Sequence, residues 1–389
     1  MLDSPEIQNL EDAATVVENT NLLFTILQTC MTYVYGSSLA SFFALINSQQ
    51  NLAYMPILSV NFPAQVSFYL DFLVQVASFD PIPIDIFFEV TGFWDFQWTD
   101  TPSSRTSYER IGIEDRIFVN VLGSMILFLA GFVATQAIAH ALAPCAGENH
   151  LVRRLYRGLI ITGSYRPIIL LFYIEAYIDL FMGALINTEN AYLLDEPTNW
   201  GWNGNLTMSD QFTVLLGYFF YYTCLIFPFV LAYLLLKHSK SAFMHYSRIR
   251  DFREKNGVLF EEFNPNNTGI SNYYFVFMLR RIAYVLITYY AYEEQYTLLQ
   301  VLVNLSMNHA FIVYLIHVRP FCGNEENNIQ IWNEILYQAL CYHHILFTDL
   351  NTDVALKFAV GWSMVFLSIS NFVYPNLWVL ILSLKNDYV

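Results

Sequence analysis

The chain has 389 residues, of which 56% are hydrophobic and 13% are charged, and its formal net charge is −15. This acidic balance argues against nucleic-acid binding, which needs concentrated basic surface. The five cysteines show neither disulfide-framework nor zinc-ligand spacing. The apolar excess favours a membrane protein over a soluble one.

The first part of the chain is acidic and then apolar. Residues 1–21 contain acids but no Lys or Arg, and residues 22–46 form a first predicted transmembrane span. Residues 47–116 comprise an apolar segment broken by Pro56, Pro63, Pro81 and Pro83, and a polar tail from Trp94 to Arg116 that is predicted to form an outer loop. We predict that this apolar segment is either an extra crossing or a re-entrant structure whose backbone is covered by protein.

The rest of the chain, residues 117–389, contains seven further apolar stretches of spanning length. They cover residues 117–143, 167–186, 211–236, 273–292, 296–317, 331–350 and 354–384. The sequence therefore predicts an all-α, polytopic transmembrane helix bundle with eight or nine crossings.

The basic residues predict the orientation. Most Lys and Arg lie in two connections, 149–166 and 237–257, and basic connections stay on the cytoplasmic side. This places the C-terminus in the cytoplasm and loop 187–210 outside. Asn205 lies in that outer loop within an Asn-Leu-Thr sequon, which predicts glycosylation. The predicted location is the plasma membrane or an endomembrane.

Polar residues inside the predicted spans are the candidates for function, because each is costly in hydrocarbon. Glu175 and Asp179 lie one helical turn apart and would attract cations. Asn304, Asn308 and His309 form a second set. Each set has two interpretations: an ion pathway, or hydrogen bonds between helices.

Two further groups have mainly structural interpretations. Glu334 begins a polar series with Gln338 and is predicted to pair with Arg319 across a short connection. Arg280 and Arg281 are consecutive near the cytoplasmic start of a span. We predict that these two arginines bind anionic lipid headgroups or an acidic partner helix.

Enzyme signatures are absent from the sequence: it has no P-loop, no GxSxG elbow, no HExxH motif and no dinucleotide fingerprint. We therefore expect no enzymatic activity, no cofactor and no metal site.

Several short motifs carry a family resemblance. They are residues 45–50, Met55–Pro63 (MPILSVNFP), Arg280-Arg281, Leu299-Gln300, Val318–Phe321 (VRPF), Trp332–Glu334 (WNE) and His344–Asp349 (HILFTD). Together they resemble the C-terminal membrane region of large ciliate surface proteins with cysteine-rich ectodomains. More distantly, they are similar to fungal TRP-like channel and flavin-carrier proteins. The resemblance implies a TRP-like or polycystin-like bundle with an outward N-terminal side, which favours nine crossings.

These observations lead to three functional hypotheses. The first is a cation channel or channel subunit. The second is a non-transporting anchor or scaffold subunit of a larger surface or organellar assembly, and the third is a transporter of lipids or small solutes. The expected partners are the lipid bilayer, cations, and further subunits of an oligomer or larger membrane assembly, and nucleic acid is not among them.

Overall fold

The computed structural model describes residues 50–77, 134, 137, 170, 173, 174, 176–194, 208–239 and 269–387. The N-terminal segment 1–21, the first predicted span, the basic connection 149–166 and nearly all of 237–257 lie outside the described residues. Seven α-helices run through the described ranges: α1 (Ala64–Ala77), α2 (Tyr177–Leu194), α3 (Met208–Ser239), α4 (Gly269–Tyr290), α5 (Thr297–Val318), α6 (Asn324–Phe347) and α7 (Val354–Asp387). No β-strand occurs in these ranges, so the described chain is all-helical, as predicted.

Three of these helices contain segments long and apolar enough to cross a membrane. They are Phe212–Lys237 in α3, Thr297–Val318, which is all of α5, and Val354–Asn371 in α7, with mean hydropathies of 2.1, 1.6 and 1.4. The helices α4 and α6 have spanning length as well, but Arg280-Arg281 in α4 and the Asn, Gln and Glu residues of α6 lower their hydropathy. The total of eight or nine crossings stays a prediction.

The connection between α5 and α6 is built by backbone and amide groups. Arg319 follows the last residue of α5 with a φ of 42°, a left-handed conformation that commonly ends helices. Asn327 then closes the first turn of α6, because its Nδ2 donates to the carbonyl of Phe321 at 2.9 Å and its Oδ1 accepts the Phe321 N–H at 3.2 Å. The helix α6 thus begins at Asn324, earlier than the apolar pattern predicts.

The described residues divide into two compact units. The first comprises residues 50–77, 293–308 and 332–387. Within it, a buried 3-10 turn at Met55–Ile57 has Pro56 in its first turn, where the missing N–H costs nothing. The helices α1 and α7 are in contact: the Gln65 amide donates to the Phe358 carbonyl at 2.7 Å, and Gly361 leaves room for the Gln65 side chain.

The described part of the second unit contains α2, α3, α4 and residues 309–331. Aromatic pairs join its helices: Tyr173 with Phe227 at 4.6 Å, Phe181 with Tyr221 at 5.8 Å, and Phe229 with Phe275 at 5.3 Å between ring centroids. Gly217 of α3 lies so close to the buried Asn187 of α2 that a Cβ there would overlap the amide oxygen. A glycine at this point lets the two helices approach closely.

Candidate functional site

In the first unit, a row of buried amides on α5 faces α6. The residues Gln300, Asn304 and Asn308 are spaced four apart and therefore lie on one face of α5. Asn308 has no exposed surface. Its Nδ2 donates to Gln338 Oε1 at 2.7 Å and to the Glu334 carbonyl oxygen at 3.1 Å. The donor group of Asn308 thus makes two hydrogen bonds to α6.

One turn earlier on α5, Asn304 continues the row. Its Nδ2 lies 3.3 Å from Tyr337 Oη and 3.5 Å from Cys341 Sγ, and all three residues are buried. We call the facing residues of α5 and α6 the amide seam, consisting of Asn304, Asn308, Glu334, Tyr337, Gln338 and Cys341. These contacts are the interhelical hydrogen bonds that the sequence suggests as one alternative. The ion-pathway role of the same residues stays a prediction.

The N-terminal end of α5 holds the segment that precedes α1. Gln300 Oε1 accepts the Ser59 N–H at 2.9 Å, and Thr297 Oγ1 donates to the Ser59 carbonyl at 2.9 Å. Phe62 then meets α6 edge-on, with its ring centroid 5.6 Å from that of His344. Sequence reasoning missed this docking, although Gln300 continues the spacing of Asn304 and Asn308. Residues of three short sequence motifs, 55–63, 299–300 and 344–349, meet here.

Two ionisable side chains of α6 are buried in the first unit. Glu334 is 3% exposed and His344 is fully buried. Within the described chain, neither ring nitrogen of His344 has a hydrogen-bond partner. A buried polar group without a partner costs roughly 1–3 kcal/mol, so His344 is an energetically costly position.

In the second unit, Arg281 is the most deeply buried cation of the described chain, with 2% exposure. Its Nη1 donates to the Ile174 carbonyl at 3.1 Å, and its guanidinium lies 4.3 Å from the centroid of the Phe277 ring. It also acts electrostatically on Asp179, which lies in the first turn of α2. That turn is the positive end of the helix dipole, which also favours a carboxylate.

The neighbouring Arg280 has a different environment. It is half-buried, and its guanidinium lies 4.2 Å from the Phe311 ring centroid. The binding of lipid headgroups by the two arginines stays a prediction. Of the two, Arg280 has the greater exposed surface for such a contact.

A proline inside α3 creates a further polar position. Pro228 has no N–H to donate to the carbonyl of Cys224, four residues earlier. The hydroxyl of Tyr177 on α2 donates to that carbonyl instead. Tyr173 Oη lies 3.2 Å from the thiol sulfur of the same cysteine. The gap in the α3 hydrogen-bond ladder is therefore filled from the neighbouring helix, as required in an apolar environment.

The remaining predicted residues have varied positions. Glu175 and Asn205 lie outside the described residues. His309 is exposed, unlike Asn304 and Asn308 of the same set, and Arg319 is exposed whereas Glu334 is buried. The pairing of Arg319 with Glu334 stays a prediction. In the ranges that the structure describes, no three His, Cys, Asp or Glu side chains are grouped so that they could hold a metal ion.

The helices also leave an apolar groove on the surface of α3. Its lining comes from this one helix: Leu215, Tyr218, Phe219, Tyr222, Thr223, Ile226, Phe227 and Val230. This groove lies between side chains of a single apolar helix, whereas a transporter of lipids would need a cavity formed by several helices. The lipid-transporter hypothesis therefore gains no specific support from it.

The described chain is thus an all-helical protein with three helices able to span a membrane, which is consistent with an integral membrane protein. No family model matches the chain, and neither the curated proteins nor the solved structures contain a match.

Proposed function

We propose that this chain is an integral membrane protein that serves as a non-transporting anchor or scaffold subunit of a larger membrane assembly. The observation that carries this proposal is the engagement of Asn308. Its amide has no exposed surface and donates twice to α6, to Gln338 Oε1 and to the Glu334 carbonyl. A side chain used in this way holds helices together and is not free to replace the hydration shell of a passing ion.

The energy of such contacts supports the same role. Hydrogen bonds between membrane helices contribute about 0.6–2 kcal/mol each, and they also fix which helix faces meet. The amide seam supplies several of them between α5 and α6. The Arg281 contact with the Ile174 carbonyl links α4 to the residues just before α2. These polar groups therefore support defined helix pairing within each unit.

A cation conduit, as a TRP-like channel or channel subunit, is the second candidate function. It is favoured by the burial of two ionisable groups, Glu334 and His344, in the first unit. Ionisable residues inside membrane bundles often mark ion or proton pathways. If the Asp179 carboxylate bound and released cations, it would also be part of this conduit. In either case, the cytoplasmic placement of the basic connections and the glycosylation of Asn205 belong to the proposal.

Flux measurements on purified, reconstituted protein distinguish the two functions. For the scaffold we expect no proton, Na⁺, K⁺ or Ca²⁺ flux above protein-free liposomes under voltage, membrane stretch or calcium. Flux that falls at least tenfold in Glu334→Gln, and that is unchanged in the exposed-turn control Glu293→Gln, would establish the conduit instead. Both variants must retain the thermal stability of the parent protein.

Purification in mild detergent tests the scaffold directly. We expect the chain to retain other membrane proteins in a fixed ratio through successive columns. A preparation that contains only this chain, whatever its copy number, would contradict the scaffold function.

A further inference from the structure

One face of α5 is exposed along the whole helix. Its residues recur every three or four positions, which places them on a single side of the helix: Leu299, Leu302, Ser306, His309, Ala310, Val313 and Ile316. We call this set the α5 outer face. Most of its members are apolar, but His309 lies in its middle.

The depth of His309 makes its exposure costly. The helix α5 runs from Thr297 to Val318, so at about 1.5 Å per residue its length is roughly 33 Å, close to the thickness of a bilayer core. His309 lies about 18 Å from its start, near the middle. Within the described chain, the exposed imidazole makes no hydrogen bond. Ionisable side chains at this depth face protein or water, because hydrocarbon cannot solvate them.

The exposed face of α3 provides the contrast. It presents Phe212, Leu215, Phe219, Tyr222, Ile226 and Phe229, and its membrane-spanning part carries no acidic or basic side chain before Lys237. Such a surface is well solvated by lipid chains. The α5 outer face differs from the α3 face in carrying an imidazole near the middle of the helix, and lipid chains offer neither a donor nor an acceptor to that ring.

Two small residues next to His309 favour a second helix as its neighbour. Ser306 and Ala310 are four residues apart, a small-xxx-small pair that lets helix backbones approach closely in membranes. The Ser306 hydroxyl donates to the Leu302 carbonyl of its own helix at 2.7 Å. Its oxygen therefore keeps a free lone pair that can accept a hydrogen bond from outside.

We propose that the α5 outer face packs against the same face of a second copy of this chain. Two copies in one membrane have the same orientation, so their α5 helices run parallel and bring residue 309 of each to the same depth. A neutral imidazole carries one donor and one acceptor, which makes His309 complementary to itself and to the Ser306 hydroxyl. A two-fold contact of identical faces satisfies both copies at once. The inference requires only that α5 crosses the membrane, so it holds for either proposed function.

Disulfide cross-linking in native-composition vesicles tests the contact. The test variant is Ala310→Cys, and the matched control is Ile226→Cys, which is exposed near the middle of the α3 span. Each variant is made in a protein whose five native cysteines are replaced by alanine. We expect oxidation to join Ala310→Cys into a covalent dimer and to leave Ile226→Cys monomeric. A monomeric Ala310→Cys, or equal cross-linking of the control, overturns the proposal.

A second measurement keeps the native cysteines. Fluorescently labelled copies of the chain are diluted into excess lipid, and their dissociation is measured as the loss of energy transfer between them. We expect His309→Leu to weaken self-association about 3- to 30-fold, the size of one interhelical hydrogen bond, and His309→Gln to restore most of it. Unchanged association in His309→Leu, or copies that never associate, would show that lipid or a different protein covers this face.

Discussion

Asn308 shows how one buried amide holds two helices together. It has no exposed surface, and its donor group bonds to a side-chain oxygen and a backbone oxygen of α6. Apolar replacement would leave Gln338 Oε1 without this donor in a place that water does not reach, whereas the Glu334 carbonyl lies inside α6 and keeps its helical donor. Buried groups without partners are more costly than the net value of the bond they lose.

We predict that Asn308→Leu, which keeps the number and branching of the side-chain heavy atoms, destabilises the protein by about 1–2 kcal/mol. The measurement is the free energy of unfolding in mixed micelles, followed by helix loss as SDS is raised. The control is Thr223→Val, because the Thr223 hydroxyl donates only to the Phe219 carbonyl of its own helix. Equal stability of the two variants would show that the α5–α6 hydrogen bonds contribute nothing measurable.

The two consecutive arginines of α4 illustrate how position changes the role of a charge. Arg281 is buried and donates to the Ile174 carbonyl, whereas Arg280 is half-buried beside Phe311. Removing one partner from a buried hydrogen bond leaves the other partner without it, which typically costs about 1–3 kcal/mol.

We therefore predict that Arg281→Met lowers the midpoint of thermal unfolding by several degrees more than Arg280→Met does. Adding Asp179→Asn to Arg281→Met should recover part of the loss, because Arg281 is the cation that acts on Asp179. The assay is thermal retention of the monodisperse peak in size-exclusion chromatography. An Arg280→Met variant as unstable as Arg281→Met would contradict the conclusion that the buried contact of Arg281 is the more stabilising of the two.

At the scale of the element, α3 shows how a long helix tolerates an internal proline. Pro228 interrupts a helix of 32 residues, and the carbonyl it leaves open belongs to Cys224. Tyr177 on α2 supplies the missing donor. The helix can therefore deviate from regular geometry at Pro228 without leaving the Cys224 carbonyl unpaired in hydrocarbon.

This arrangement predicts that Tyr177 and Pro228 are energetically coupled. Tyr177→Phe should cost about 1 kcal/mol in the parent protein and much less in a Pro228→Ala background, where the residue 228 N–H bonds to the Cys224 carbonyl itself. Tyr173→Phe is the control, since Tyr173 meets the sulfur of Cys224 and not its carbonyl. Identical costs of Tyr177→Phe in both backgrounds would rule out the coupling.

At the scale of the whole molecule, the orientation of the chain in the membrane is predicted from the positions of its basic residues and from the helices that are long enough to cross. The turn at Glu293 precedes α5 and the turn at Cys322 follows it, and both residues are exposed. If α5 crosses the membrane, its two ends lie on opposite sides. The basic connections predict that the Cys322 end lies in the cytoplasm.

We predict that a membrane-impermeant maleimide labels Cys322 only after cells are permeabilised, in a protein where Cys322 is the sole cysteine. Replacing Cys322 by alanine and placing the sole cysteine at 293, as Glu293→Cys, should give labelling of intact cells. The readout is the mass shift of the purified chain. Labelling of Cys322 in intact, sealed cells would show that the orientation is the opposite of the predicted one.

The sequence alone determined the all-helical class of the described chain, because a helix that crosses hydrocarbon needs about twenty consecutive apolar residues and such runs can be read directly from the sequence. The predicted starts of α5 and α7 agree with the helices to within one residue, since apolar periodicity marks them. The start of α6 was missed, because the Asn327 side chain that closes its first turn acts through local hydrogen bonds and not through hydropathy.

Only the tertiary structure decided what the polar residues do. Sequence spacing placed Asn304, Asn308 and His309 in one set, but the helix turns the amides towards α6 and leaves the imidazole exposed. Ser59 and Gln300 are 241 residues apart in the chain and yet share a hydrogen bond. Long-range contacts of this kind depend on the geometry of packed helices. Local sequence patterns do not predict that geometry.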